Sequence, residues 1–165
     1  MIALKRYMLF IMTGVLLLLS GCSVKNYTPE IPLTFTQNVE VTSGDFSYTC
    51  EICKTEELVS VTVTSTYAKG MIMRYDGNEV NFHYSDYSYS LDGSNFEKRN
   101  AAIVVYEVFD YINSTQSLNA KKIDGGYRYD GKISLGDFTL IQNDDNSLSS
   151  LIIRDADYKI DFKND

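Results

Sequence analysis

The chain has 165 residues and a formal net charge of −7, from 22 Asp and Glu against 15 Lys and Arg. This length suits a single domain that can bury most of its apolar surface. The negative charge disfavours contact with nucleic acid or with an anionic membrane surface, so we expect no nucleic-acid partner. A single histidine also leaves few ligands for a metal centre.

The N-terminus has the layout of a secretory signal peptide. Lys5 and Arg6 precede an apolar run over residues 8–19, and Leu19-Ser20-Gly21-Cys22 stands at the end of that run. A retained transmembrane helix is one alternative, but it needs about 20 apolar residues. A secreted protein with an unmodified Cys22 is another, but it would carry an odd cysteine into an oxidising compartment.

The segment Leu19 to Cys22 resembles the lipobox of bacterial lipoproteins. The resemblance implies cleavage before Cys22 and a diacylglycerol on its sulfur, with acyl chains of the palmitate type. The protein would then be lipid-anchored to the cell membrane on its extracytoplasmic face. We therefore expect a lipoprotein signal peptide over residues 1–21, a tether over 22–32 that holds both prolines, and a single β-rich domain over 33–165.

A period of two dominates the chain after the tether and predicts strands that bury one face. Apolar residues alternate with polar ones over residues 59–63, and again over 127–135 and 158–162. Short connections between successive strands favour an antiparallel arrangement.

The clearest predicted hairpin lies over residues 71–84, with Asp76-Gly77-Asn78 as its turn. A two-residue loop, at Asp76-Gly77 or at Gly77-Asn78, sets apolar residues opposite one another, whereas a three-residue loop would break this match. With a loop at Gly77-Asn78 the cross-strand pairs are Tyr75–Val80, Met73–Phe82 and Met71–Tyr84.

One segment departs from the strand period. Apolar residues recur at helical spacing between Ala101 and Ile112, and Ser94-Asn95-Phe96-Glu97 resembles a capping box ahead of them. The β-branched run at residues 103–105 would also suit a strand, but length and capping favour a helix. We predict a helix from about Asn95 to Asn113 that lies buried against a sheet.

These elements predict an α+β fold that is mostly β. About nine to eleven strands would form a curved antiparallel sheet, or half-barrel, around one long helix, because a single helix cannot cover a flat sheet of that width.

This layout resembles the lipoprotein-carrier superfamily of LolA and LppX type, and it is similar to small lipoproteins of low-GC Gram-positive bacteria. The residues that carry the resemblance are Val61, Val63, Ser65, Gly70-Met71, Asp76-Gly77-Asn78, Val80 and Phe162. The resemblance implies a half-barrel whose concave face is covered by helices and binds acyl chains. The chain departs from the carriers in having one long helix where they carry several.

Three kinds of residue are candidates for a site. Cys50 and Cys53 have the spacing of a redox motif but stand in a strand pattern, which leaves a structural disulfide or two unpaired thiols as the alternatives. His83 lies on the polar face of its strand, where we expect solvent. No segment has the ligand spacing of a metal site, so we predict no metal and no cofactor.

An aromatic and thioether face is the candidate wall for an apolar ligand. Its predicted ligand-lining residues are Met71, Met73, Tyr75, Val80, Phe82, Tyr84, Val105 and Phe109. The alternative is that these side chains only pack the sheet against the helix.

Two functions follow as hypotheses. The first is a membrane-anchored binding protein for a lipid or another apolar ligand at the cell envelope. The second is a structural or regulatory envelope protein that docks a partner protein. No nucleophile, phosphate or metal motif is present, so we do not expect an enzyme.

Overall fold

The computed structural model describes residues 30–115 and 120–163 of the chain. The predicted signal peptide, Cys22 and the tether up to residue 29 lie outside the described residues. Within them the chain forms eleven strands and one α-helix: β1 Phe35–Ser43, β2 Phe46–Lys54, β3 Val59–Val63, β4 Ile72–Tyr75, β5 Glu79–Tyr84, β6 Tyr87–Asp92, α1 Ala101–Ser114, β7 Lys121–Ile123, β8 Gly126–Ile133, β9 Gly136–Asn143, β10 Leu148–Ile153 and β11 Tyr158–Phe162. Short 3-10 turns occupy Gly93–Asn95 and Arg154–Ala156.

All eleven described strands belong to one antiparallel sheet, in the order β6-β5-β4-β3-β2-β1-β11-β10-β9-β8-β7. The chain starts at the centre and runs outward to the β6 edge. It then crosses through α1 to the β7 edge and returns inward to β11. The last strand pairs with the first, with Val41 opposite Ile160.

The sheet curves around the helix. Helix α1 has 14 residues and is therefore about 21 Å long. It contacts β3 and β4 on one side of the sheet and β8 on the other. β3 and β8 are six strand spacings apart in the sheet order, which would be about 29 Å in a flat sheet. The sheet must bend for one short helix to reach both, and this confirms the predicted curved sheet with one helix.

The inner face of the sheet, which carries α1, holds the core. Alternate residues of each central strand point inward and form rows across the sheet, as where Val39 pairs with Cys50 on one side and with Phe162 on the other. These three side chains are 0–7% exposed. The alternation of apolar and polar residues along each strand therefore produces one continuous apolar layer on the inner face.

Helix α1 packs on this layer through most of its length. Its buried residues are Ala101, Ala102, Ile103, Val104, Val105, Val108, Phe109 and Ile112. Aromatic contacts fix its position, with ring-centroid distances of 5.1 Å for Tyr75–Tyr106, 5.2 Å for Phe35–Phe109 and 5.4 Å for Tyr111–Phe138. The helix therefore lies directly against the strands.

The hairpin formed by β4 and β5 has the predicted register. Tyr75 lies opposite Val80 and Met73 opposite Phe82, whereas Met71 precedes β4 and lies outside the paired residues of the two strands. Gly77 adopts a positive φ of 97° at the turn.

Asp76 closes the turn of this hairpin. Its Oδ1 accepts hydrogen bonds from the backbone N–H groups of Glu79 and Asn78, both at 2.9 Å. These two bonds stabilise the carboxylate and lower the pKa of Asp76 below its ordinary value of 3.8. The side chain thus stabilises the connection over residues 76–79, which joins the paired residues Tyr75 and Val80.

The predicted start of the helix at Asn95 is wrong. Asn95 ends a 3-10 turn in which Asp92, not Ser94, supplies the capping oxygen. The α-helix begins at Ala101, after Asn100, whose side chain accepts a hydrogen bond from Ala102 N at 2.9 Å. Asn is as good an N-cap as Ser, so the capping-box pattern at residues 94–97 selected the wrong one of two available caps.

A buried amide fixes the start of the described chain. Gln142 is fully buried, and its Oε1 accepts a hydrogen bond from Tyr129 Oη at 2.8 Å. Its Nε2 donates to the carbonyl oxygens of Glu30 and Asn146, both at 3.0 Å. The tether therefore reaches the domain at the end of the sheet where β9 meets β10.

Candidate functional site

An apolar groove of about 290 Å³ opens at the other end of the sheet, where β1 meets β2 and β3 meets β4. Its walls come from the sheet rim and from the chain segment that leads into α1. The residues that line this apolar groove are Phe46, Tyr48, Val63, Thr66, Ala68, Met71, Met73, Phe96, Glu97, Arg99 and Asn100. Its volume is near the lower limit of ligand clefts, which span about 300–1,000 Å³.

Strand alternation supplies the sheet wall of the groove. Phe46 and Tyr48 share the inner face of β2, and their rings lie 5.8 Å apart. Val63 ends β3 on the same face, and Met73 on β4 pairs with Val61, two residues earlier in β3. Thioether and aromatic side chains together make a soft wall that adapts to the shape of a ligand.

The opposite wall is the segment between β6 and α1. Phe96 packs against Phe82 with ring centroids 5.2 Å apart, which holds this segment over the end of β5. Asn100 is the N-cap of α1, and its Nδ2 donates a hydrogen bond to the Met73 sulfur at 3.0 Å. The helix cap and the groove wall therefore share one residue.

The predicted ligand-lining residues divide into two groups. Met71 and Met73 line the groove, and Phe82 supports it through Phe96. Tyr84 is partly exposed and donates to the Tyr67 carbonyl oxygen at 3.3 Å, beside the groove.

The second group lies in the packed core. Tyr75, Val80, Val105 and Phe109 are 0–7% exposed and are not part of the groove. These four side chains pack the sheet against the helix, which is what the alternative interpretation of the aromatic and thioether face predicts.

Phe46, Tyr48 and Phe96 line the groove but are not among the ligand-lining residues that the sequence predicts. The signal for the first two was available, because Phe46 and Tyr48 share the period-two face of Cys50 and Ile52. Phe96 could not be placed, since residues 94–97 were interpreted as the start of the helix.

Four exposed tyrosines, Tyr67, Tyr84, Tyr87 and Tyr89, form an aromatic rim beside the groove. Tyr67 stands fully exposed in the β3–β4 connection, and Tyr87 and Tyr89 are 80% and 62% exposed on the edge strand β6. Helix α1 does not cover this part of the inner face. The described surface therefore continues from the groove onto an open aromatic sheet edge.

A second feature lies deeper on the inner face, where Tyr158 is 2% exposed. Its hydroxyl has no hydrogen-bond partner among residues 30–115 and 120–163. Burial raises its pKa, and the nearby Tyr48 and Cys50 raise it further. Burial, followed by the neighbouring Cys50, likewise raises the pKa of Tyr48. These groups are neutral at physiological pH.

The two cysteines of the CxxC segment are free thiols. Cys50 points into the core, where burial raises its pKa to about 12. Cys53 points to the outer face, between Thr36 and Ser60 of the flanking strands. Residues three apart in a regular strand face opposite ways, so the suggested disulfide between Cys50 and Cys53 is absent here.

Other polar groups do not assemble a second centre. His83 is exposed on the outer face, and its Nδ1 lies 3.0 Å from Ser88 Oγ. In the described part of the chain, no group of three or more His, Cys, Asp or Glu side chains is placed to hold a metal ion. No helix in residues 30–115 and 120–163 combines the length and apolar character required to cross a bilayer.

Two larger depressions of about 580 Å³ each have different chemistry. The first carries Arg74, Asn81 and His83 on the outer face. The second carries Arg128 and Asp130, which already pair with each other. Their walls offer charged and polar groups, so the smaller groove is the better candidate for an apolar ligand.

Comparison with known proteins gives a likeness in structure but no match in sequence. No known protein-family profile matches the sequence, and no curated protein matches it. A solved structure of a LolA superfamily protein from Nitrosomonas europaea matches 82% of this chain and 86% of its own, with a TM-score of 0.44 and 10% sequence identity. The strand pairing, and not this likeness, defines the fold described above.

Proposed function

We propose that the protein is a binding protein for an apolar ligand, anchored to the extracytoplasmic face of the cell membrane through a lipidated Cys22. The observation that carries the proposal is the apolar groove, which is held open between a continuous sheet and the segment that caps α1. Binding needs no catalytic group, because burial of apolar surface supplies the free energy.

The expected affinity follows from the size of the groove. A ten-carbon chain that buries eight methylene groups would gain about 6 kcal/mol, at about 0.8 kcal/mol for each group. That corresponds to a Kd of about tens of micromolar. Larger lipids would leave most of their surface outside a groove of about 290 Å³.

A groove-filling variant tests this function. Ala68 lines the groove, whereas the neighbouring Tyr67 points to solvent. Ala68→Trp should fill the space, and Tyr67→Trp places the same ring outside it. We expect calorimetric titration of the full chain with decanol to give binding for the unsubstituted protein and for Tyr67→Trp, and none for Ala68→Trp. Equal binding by all three proteins, or by none of them, would contradict the proposal.

The anchor has an independent test, which uses cells grown with labelled palmitate. The full chain should incorporate label, and a Cys22→Ser variant should not. Label that persists in the variant, or no label in either protein, would contradict lipidation of Cys22.

A second candidate function is the docking of a partner protein at the β6 edge. The two sheet edges differ, since β7 has three residues and carries Lys121 and Lys122, whereas β6 has six residues without a lysine. Lysines on a short edge strand oppose the pairing of a strand from another protein, whereas a longer edge strand without lysine permits it. Tyr89→Lys should then abolish co-purification of a partner while decanol binding persists, and unchanged co-purification would exclude this edge as the dock.

A further inference from the structure

The mouth of the groove holds two hydrogen-bond donors without strong acceptors. Arg99 lines the groove, is exposed, and makes no ion pair or hydrogen bond within the described residues. Asn100 Nδ2 donates only to the Met73 sulfur, which is a weak acceptor. An oxygen atom placed in the mouth would be a better acceptor for both groups.

The electrostatics of the mouth favour an anionic oxygen. Asn100 caps α1, so the positive end of a 14-residue helix lies at the groove, and the first helical turn carries no acidic residue to offset it. Arg99 adds a full positive charge. Glu97 is the opposing group, since its exposed carboxylate also lines the groove. The helix end and the guanidinium together outweigh this one carboxylate.

We propose that the groove selects a single-chain amphiphile with an anionic head, either a carboxylate or a phosphate monoester. The chain would lie against Met71, Val63 and Phe96, and the head would accept hydrogen bonds from Arg99 and from Asn100 Nδ2. This inference rests on the proposed function and specifies its ligand. A groove of about 290 Å³ holds one chain, so lipids with several chains are excluded by size.

The experiment compares three ten-carbon probes that differ only in the head: decanol, decanoate and decyl phosphate. Each is titrated by calorimetry at pH 7.5, below its micelle concentration, into the full chain carrying Cys22→Ser to prevent acylation. The variants are Arg99→Gln and Asn100→Asp. The matched control is Arg74→Gln, which removes the same charge from the outer face, away from the groove.

The unsubstituted protein should bind at least one anionic probe about tenfold more tightly than decanol, the gain of one charge-assisted hydrogen bond at an exposed site. Arg99→Gln should bring the ratio of anion affinity to decanol affinity close to one, and Arg74→Gln should keep this ratio as in the unsubstituted protein. Asn100→Asp keeps a good helix cap but replaces the donor with a carboxylate, so it should lower the ratio of anion affinity to decanol affinity. A preference for decanoate indicates a fatty-acid type of head, and one for decyl phosphate a phosphomonoester.

Three other outcomes overturn the inference in distinguishable ways. If decanol and both anions bind equally well, the groove takes apolar chains but does not select the head, and the proposed function stands alone. If no probe binds, the proposed function fails and the inference falls with it. A loss of anion preference in Arg74→Gln equal to that in Arg99→Gln would assign the effect to net charge and not to the groove mouth.

Discussion

Replacing Tyr158 with phenylalanine should stabilise the protein. The Tyr158 hydroxyl is buried, and the described residues give it no hydrogen-bond partner. An unpaired buried hydroxyl costs about 1–3 kcal/mol, because it loses its bonds to water and gains none in return. Phenylalanine removes that oxygen and keeps the ring, so the packing of β11 against its neighbours is retained.

The matched control is Tyr129→Phe on β8. Tyr129 is equally buried, but its hydroxyl donates to Gln142 Oε1 at 2.8 Å. This change leaves the Gln142 oxygen without its donor in the core and should cost about 1–3 kcal/mol. The same chemical substitution at two buried tyrosines should therefore change the free energy of unfolding in opposite directions.

Thermal unfolding followed by circular dichroism measures both effects. For a domain of this size, 1 kcal/mol corresponds to a change in Tm of about 4 °C. We expect Tyr158→Phe to raise Tm by about 4 °C or more and Tyr129→Phe to lower it by a similar or larger amount. A lower Tm for Tyr158→Phe would mean that its hydroxyl is paired in solution, and the argument from an unsatisfied group would be refuted.

Three further predictions follow from the packing and the turns. Gly131→Ala should cost about 1–3 kcal/mol in a denaturant titration, because a Cβ there would lie 2.5 Å from two aromatic rings; an unchanged midpoint would contradict the packing described. In native protein carrying Cys22→Ser, maleimide at pH 8 should label Cys53 and spare Cys50 until the chain is unfolded; equal labelling of both thiols would count against the buried position. Asp76→Ala should lower stability by up to about 1 kcal/mol at pH 7 through two lost hydrogen bonds. The folded-state pKa of Asp76 is lowered, so its stabilisation is present above the ordinary value of 3.8 and is lost as the pH falls through the folded value; a difference between variant and parent that does not shrink as the pH is lowered below 3.8 would disprove this account.

The sheet could be predicted because alternation and turn chemistry are local properties. A two-residue loop that contains Gly77 sets apolar residues opposite one another in either of two registers, and the register found is the one expected for a loop at Gly77-Asn78, with Met73 opposite Phe82. The helix boundary was harder to predict, because Ser94 and Asn100 are both good caps and only the packing of the intervening segment chooses between them.

The groove could be predicted only in part. Met71 and Met73 were identified from their strand, but Tyr75 and Phe109 follow the same pattern and lie in the core. Periodicity tells which face of a strand is apolar. It does not show how much of that face α1 covers, because this depends on where the helix crosses the sheet.

The pairing of β1 with β11 has a consequence for how the chain reaches its native state. Val39 and Phe162 are neighbours in the sheet although 122 residues lie between them in the sequence. One side of the first strand therefore has no hydrogen-bonding partner until the final strand has been synthesised. Such long-range contacts slow folding, and an unfinished chain exposes an apolar central strand that is prone to aggregate. A holding factor, or a delay of folding until synthesis is complete, would protect this chain more than a protein whose strands pair only with their neighbours in sequence.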